Sequence, residues 1–133
     1  MSIDSETVAI RPSDGKDPET ILLTPAEVAR ELAFLVVVSG RRMGTCYRLE
    51  RPRSLIGRSS RVQIYLDDPR AGGEHASIRC EKVSKDARGE FVLRDLDSET
   101  GTFVNGKRIA TVWVLKDGDL IRIGDMELVF KRV

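Results

Sequence analysis

The sequence predicts an all-β fold, a sandwich of antiparallel strands preceded by a flexible N-terminal tail and one short helix. From Phe34 to Val133 ten short β-rich runs follow one another, each bounded by turn-forming residues. A helix-capping sequence stands just ahead of them, and an acidic stretch of no clear period ahead of that. The chain has 133 residues, 41% of them hydrophobic, enough to bury one core and too few for two ordinary domains.

Residues 1–23 form the tail. Their apolar positions are scattered, and the stretch Pro12-Ser13-Asp14-Gly15-Lys16-Asp17-Pro18 is loop-like, so they cannot bury enough surface to offset the entropy of ordering. Charge follows the same division: residues 1–33 hold seven acidic and three basic residues, a balance of −4, whereas residues 34–133 stand at +5. An acidic tail thus precedes a mildly basic body.

Residues 24–33 form the helix and connector. Thr24 supplies an N-cap, Pro25 suits the first helical position and Glu27 is placed to close a capping box, after which Ala29, Arg30, Glu31 and Leu32 favour helix. The strand runs of residues 34–133 are FLVVVS, TCYRLE, SLIG, QIYL, HASIRCE, EFVLRD, TFVNG, TVWVL, DLIRIG and MELVFKRV. Between them, Ser39-Gly40, Ala87-Arg88-Gly89, Asn105-Gly106, Asp117-Gly118 and Gly124-Asp125 supply residues that tolerate positive φ. Trp113 is expected in the sandwich or on its edge. Cys46 and Cys80 sit in strand-like alternation with no metal-ligand spacing or disulfide framework, and read as buried free thiols of a reducing compartment.

Several function classes lose support at this stage. The longest apolar run is Leu32 to Val38, and no basic start precedes an apolar block, so neither a membrane span nor a signal peptide is indicated and the cytoplasm is the expected location. His75 is the single histidine and has no neighbouring thiol, which makes a poor metal site. The Asp67-Asp68 pair precedes Pro69 in a loop and lacks a catalytic partner. With no nucleotide-binding loop or nucleophile set, an enzyme and a cofactor are not expected. Aromatics are only 5% and arginines are scattered among acids, which argues against nucleic acid.

The most informative stretch is LRDLDSETGTFVNGKRI, residues 93–109: a polar loop, a β-branched strand and an Asn-Gly turn in unbroken succession. Joined to Gly57-Arg58, QIYLDDP, His75-Ala76 and the L-x-DGD-x-I-x-IG element, it resembles the forkhead-associated (FHA) domain, a reader of phosphothreonine, over about 100 residues from Phe34 to Val133. The resemblance implies an eleven-stranded sandwich of two twisted sheets, with a peptide site made by loops at one end. It also implies that Arg58 anchors the phosphate, and that Gly57, His75, Gly101 and Asn105 support the loops structurally, His75 by tying its segment to the loop around Ser98.

At the other positions where the family holds the phosphopeptide, this chain reads Gly72 instead of Ser, Glu99 instead of Thr and Thr100 instead of Asn. Candidate replacements are Ser59, Arg70, Ser98, the Thr100 hydroxyl and the backbone N–H groups of Gly72 and Gly73, with Arg61 beside them. The function implied is a phosphothreonine-peptide-binding signalling module of bacterial type, acting with a Ser/Thr kinase. Its partner would be a phosphorylated protein or its own tail, where Thr7 and Thr20 each follow a Glu and precede an apolar residue by three positions. The alternative is a diverged scaffold that binds an unphosphorylated segment or a second protomer, and either is compatible with a regulatory domain of a larger enzyme.

Overall fold

The computed structural model describes residues 20–133. In chain order these form β1 (Ile21–Leu22), α1 (Pro25–Ala29), β2 (Ala33–Val37), β3 (Cys46–Arg48), β4 (Arg53–Gly57), β5 (Ile64–Tyr65), β6 (Ala76–Lys82) and β7 (Glu90–Asp95). There follow β8 (Phe103–Val104), β9 (Lys107–Arg108), β10 (Val112–Val114), β11 (Leu120–Ile123) and β12 (Met126–Arg132). Each of the ten runs read from the sequence holds a strand; β1 and β9 are additional.

The strands make two six-stranded sheets. One has the order β10-β7-β6-β4-β5, with β1 pairing to the far end of β6, and the other the order β3-β2-β12-β11-β8-β9. All pairs are antiparallel except β4 with β5. Leu35, Ile56, Leu93, Ile121 and Leu128 face inward from the two sheets and are fully buried, and Phe91 meets Phe130 across the core at 5.5 Å between ring centroids. Trp113 packs against this core from edge strand β10 and donates its Nε1–H to Asp119 at 3.2 Å. The Asn105-Gly106 turn has φ of 52° and 86°, the left-handed pair that closes a two-residue hairpin between β8 and β9.

The capping box of α1 forms as expected: Glu27 N–H donates to Thr24 Oγ1 at 3.3 Å, and Thr24 N–H donates to Glu27 Oε1 at 2.9 Å. The helix is shorter than the sequence suggested, because Leu32 turns into the left-handed region at φ 49° and Ala33 already pairs with Arg132. The assignment of residues 21–23 to the tail is corrected as well. Ile21 and Leu22 pair with Lys82 and Glu81, Leu23 N–H donates to the Cys80 carbonyl at 3.0 Å, and the Leu23 side chain is 3% exposed. Cys80 is a buried free thiol, but Cys46 is exposed: on edge strand β3 it is Tyr47, not Cys46, that turns toward the core.

Candidate functional site

The C-terminal ends of β4 and β7 and the N-terminal end of β6 meet at one end of the sandwich. The loops that leave them surround a groove of about 420 Å³, lined by Arg58, Arg70, Gly72, His75, Ser98, Glu99 and Thr100 among others. Chain entry into this region depends on Gly57, because a Cβ there would fall 2.1 Å from the Gly73 carbonyl oxygen. That close approach lets Arg58 N–H reach the carbonyls of both Gly72 and Gly73 at 3.0 Å.

Arg58 is exposed, and its Nε–H donates to the Ala71 carbonyl at 3.0 Å. This bond holds the guanidinium at the groove through Nε, and a guanidinium's terminal nitrogens are suited to paired bonding with phosphate oxygens. His75 is 1% exposed and braces two loops: its Nδ1 accepts from Gly72 N–H and its Nε2 faces the Gly101 carbonyl, each at 2.9 Å. The first bond makes Nδ1 the acceptor, so Nε2 carries the proton.

Asp95, which the sequence reading did not single out, organises the second loop. Its carboxylate accepts from Ser98 Oγ at 2.5 Å, Ser98 N–H at 3.1 Å and the buried Thr102 Oγ1 at 2.7 Å. Burial alone raises its pKa, yet the hydrogen bonds from Ser98 and Thr102 prevail and hold the carboxyl below the usual aspartate range. The available signal was an Asp three residues ahead of a Ser in a turn-rich segment. Asp68 does the same for the first loop, accepting from the N–H groups of Arg70 and Asp125 at 2.8 Å each.

Several expected phosphate donors are committed elsewhere in this structure. Gly72 N–H is spent on His75, Ser98 Oγ–H on Asp95, and Thr100 Oγ1–H on the Arg70 carbonyl at 2.9 Å. Ser59 Oγ accepts from Arg61 N–H at 3.2 Å and lies outside the groove lining, while Arg61 lines a neighbouring groove and stands 3.9 Å from Glu74. Gly73 is exposed, and its N–H has no acceptor among the described residues. Asn105 stays in its turn, where it donates to Asp119 at 3.0 Å and accepts from Leu120 N–H at 2.9 Å. Thr7 lies outside the described residues, and Thr20 sits at the opposite end of β6.

Comparisons with known proteins agree with this geometry. The FHA domain model matches residues 54–124. The glycogen accumulation regulator GarA of Mycolicibacterium smegmatis is 37% identical over 98 residues, covering 74% of this chain and 58% of that protein. The oxoglutarate dehydrogenase inhibitor of Corynebacterium glutamicum is 36% identical over 98 residues, covering 74% and 64%. The chain therefore spans about three fifths of the length of these relatives. Mycobacterium tuberculosis EmbR, solved in complex with a low-affinity phosphopeptide, superposes with a TM-score of 0.65 at 33% identity over 76% of this chain and 24% of that one. The matched stretch runs from β4 to the turn after β11 and so contains Gly57-Arg58, the braced His75 and the Asp95 loop, and on that footing the chain belongs to the FHA domain family.

Proposed function

We propose that this chain is a phosphothreonine-peptide-binding regulatory module that works with a Ser/Thr kinase. The observation that carries the reading is Arg58, held by the Ala71 carbonyl at the mouth of a groove whose loops are fixed by His75 and Asp95. Arg70 lines the same groove, the exposed Gly73 N–H beside Gly72 is a further candidate donor, and the relatives are a regulator and an inhibitor by name. A hydrogen bond to a charged group is worth ~1.5–3 kcal/mol, so two absent donors lower affinity by about 10² to 10⁴. The carboxylate of Glu99 at the groove adds repulsion to a phosphate of about −1.5 to −2 charge. The module is therefore a weak reader that relies on high local ligand concentration.

A ligand in the same chain supplies such a concentration. The groove lies at the Ala76 end of β6 and β1 pairs at the Lys82 end, ~20 Å away at strand spacing. Because β1 is antiparallel to β6, Thr20 precedes Ile21 on the side away from the groove and cannot reach it while β1 stays paired. Thr7 is thirteen residues further upstream, and an extended chain covers up to about 43–47 Å in that length. Of the two tail threonines, Thr7 is the one that can dock on its own domain when phosphorylated.

The commitment of Gly72, Ser98 and Thr100 to internal hydrogen bonds favours a second reading, in which the same loops bind an unphosphorylated segment. A fluorescence-anisotropy titration against a degenerate phosphothreonine peptide pool and its unphosphorylated twin, with Arg58→Ala alongside, separates the two. Phosphate-dependent binding lost in the variant supports the reader. Equal binding of both pools supports the alternative, and binding of neither sinks both.

A further inference from the structure

The groove contains a second cation that is not free to act in the structure as it stands. Arg70 is exposed and lines the groove with Arg58, but its guanidinium is paired through Nη2 with Asp125 and lies 3.5 Å from Asp68 through Nε. The two carboxylates have different jobs. Asp68 is 5% exposed and fixes backbone, taking the N–H groups of Arg70 and Asp125, so it is built into the loop. Asp125 lies at the β11–β12 turn with its side chain 72% exposed, and its carboxylate pairs with Arg70. On the other side, the Arg70 carbonyl takes the Thr100 hydroxyl, which ties the residue to the loop that carries Glu99.

We propose that Arg70 is a second anion-binding residue of this groove and that Asp125 is its built-in competitor: an arriving phosphothreonine phosphate displaces the Asp125 carboxylate from the guanidinium, while Asp68 keeps the Arg70 backbone in place. The inference rests on the phosphothreonine reading given above. An exposed ion pair between single charges is weak, so exchange of a monoanionic carboxylate for a phosphate near −2 is favourable. The cost of breaking the pair is nevertheless subtracted from every binding event, and the site holds its ligand less tightly than its cations allow. Asp125 thereby sets a threshold that only a concentrated or tethered phosphothreonine exceeds.

A double-mutant cycle tests this, with anisotropy titrations of the degenerate phosphothreonine pool against wild type, Asp125→Asn, Arg70→Ala and the double variant, and Arg58→Ala as the control for the site itself. Asparagine keeps the size and the backbone contacts of Asp125, and thermal melts establish that each variant is folded. Asp125→Asn should bind about two- to fivefold tighter than wild type, the range an exposed pair can contribute, and the gain should vanish in the Arg70→Ala background. A gain of the same size without Arg70 would mean that Asp125 acts only as a nearby negative charge, and it overturns the inference. Unchanged affinity in Asp125→Asn, with Arg58-dependent binding intact in wild type, overturns it while leaving the phosphothreonine reading standing. Absence of phosphate-dependent binding in both wild type and Asp125→Asn overturns the reading and the inference together.

Discussion

The protonated Nε2 of His75 donates to the carbonyl of Gly101 at 2.9 Å, joining two loops that lie 26 residues apart in sequence. The same ring accepts from Gly72 N–H, so a single buried side chain fixes both walls of the groove. His75→Ala removes both bonds, strands a buried N–H and carbonyl and leaves a ring-sized void. The expected loss is ~2–5 kcal/mol of folding stability in urea titrations, from the cavity and the unpaired groups together. A loss below about 1 kcal/mol, the scale of one ordinary hydrogen bond, would remove His75 from this bracing role.

Asp95 predicts how the protein responds to acid. Its folded pKa lies below the ordinary aspartate value, so its hydrogen bonds stabilise the fold fully above that value, and the contribution disappears as pH falls through the lowered one. Asp68 is shifted in the same direction, with burial opposing and the N–H groups of Arg70 and Asp125 prevailing. Stability should therefore hold from neutral pH to about 5 and fall steeply below 4. Asp95→Asn should be less stable than wild type at pH 6 and show a shallower decline between pH 4.5 and 3 by urea denaturation. A decline parallel to wild type would show that Asp95 titrates alike in the folded and unfolded states.

Local chemistry made much of this fold legible. The capping box at Thr24 and Glu27, the left-handed Asn105-Gly106 turn and the period-2 runs each follow from bonds between residues close in sequence. Gly57-Arg58 and His75 stood out as candidate site residues through their resemblance to the FHA family's motifs. What sequence did not disclose is where polar hydrogens point. Thr100 reads as an available hydroxyl, yet its bond goes to Arg70, thirty positions away, and Gly72 reads as an open amide, yet it serves His75. β1 escaped notice because two residues show no periodicity, and only Glu81 and Lys82 opposite them make a strand there. The outward face of Cys46 was hidden for a like reason, since the sheet partner Leu35 decides which of Cys46 and Tyr47 turns inward.

The two thiols differ enough for a direct chemical test. Burial, reinforced by the nearby negative charge of Glu31, pushes the Cys80 thiol up to about 12, whereas Cys46 stands exposed on β3. Only a thiolate attacks an aromatic disulfide reagent, so the native protein at pH 8 should release one equivalent, and the denatured protein two. Cys46→Ser should abolish the native reaction and leave one equivalent after denaturation. Rapid reaction of both thiols in the native state would place Cys80 on a surface that opens readily.

β1 and Leu23 couple the start of the described chain to the end of the sandwich remote from the groove. Leu23 is seated so closely on Gly89 that a Cβ at Gly89 would fall 2.8 Å from Leu23 Cδ2, and its N–H completes the pairing with Cys80. A chain beginning at Thr24 loses this side chain and the pairing of Ile21 and Leu22, whereas one beginning at Thr20 keeps both. The shorter chain should be less stable than the longer by about 2–4 kcal/mol, comparable to truncation of a buried leucine plus its backbone bonds. Because β1 stands ~20 Å from the groove at strand spacing, the two should bind the degenerate phosphothreonine pool with equal affinity at temperatures where both are folded. Weaker binding by the shorter chain would reveal that β1 and the groove loops are energetically coupled through β6, the strand that touches both.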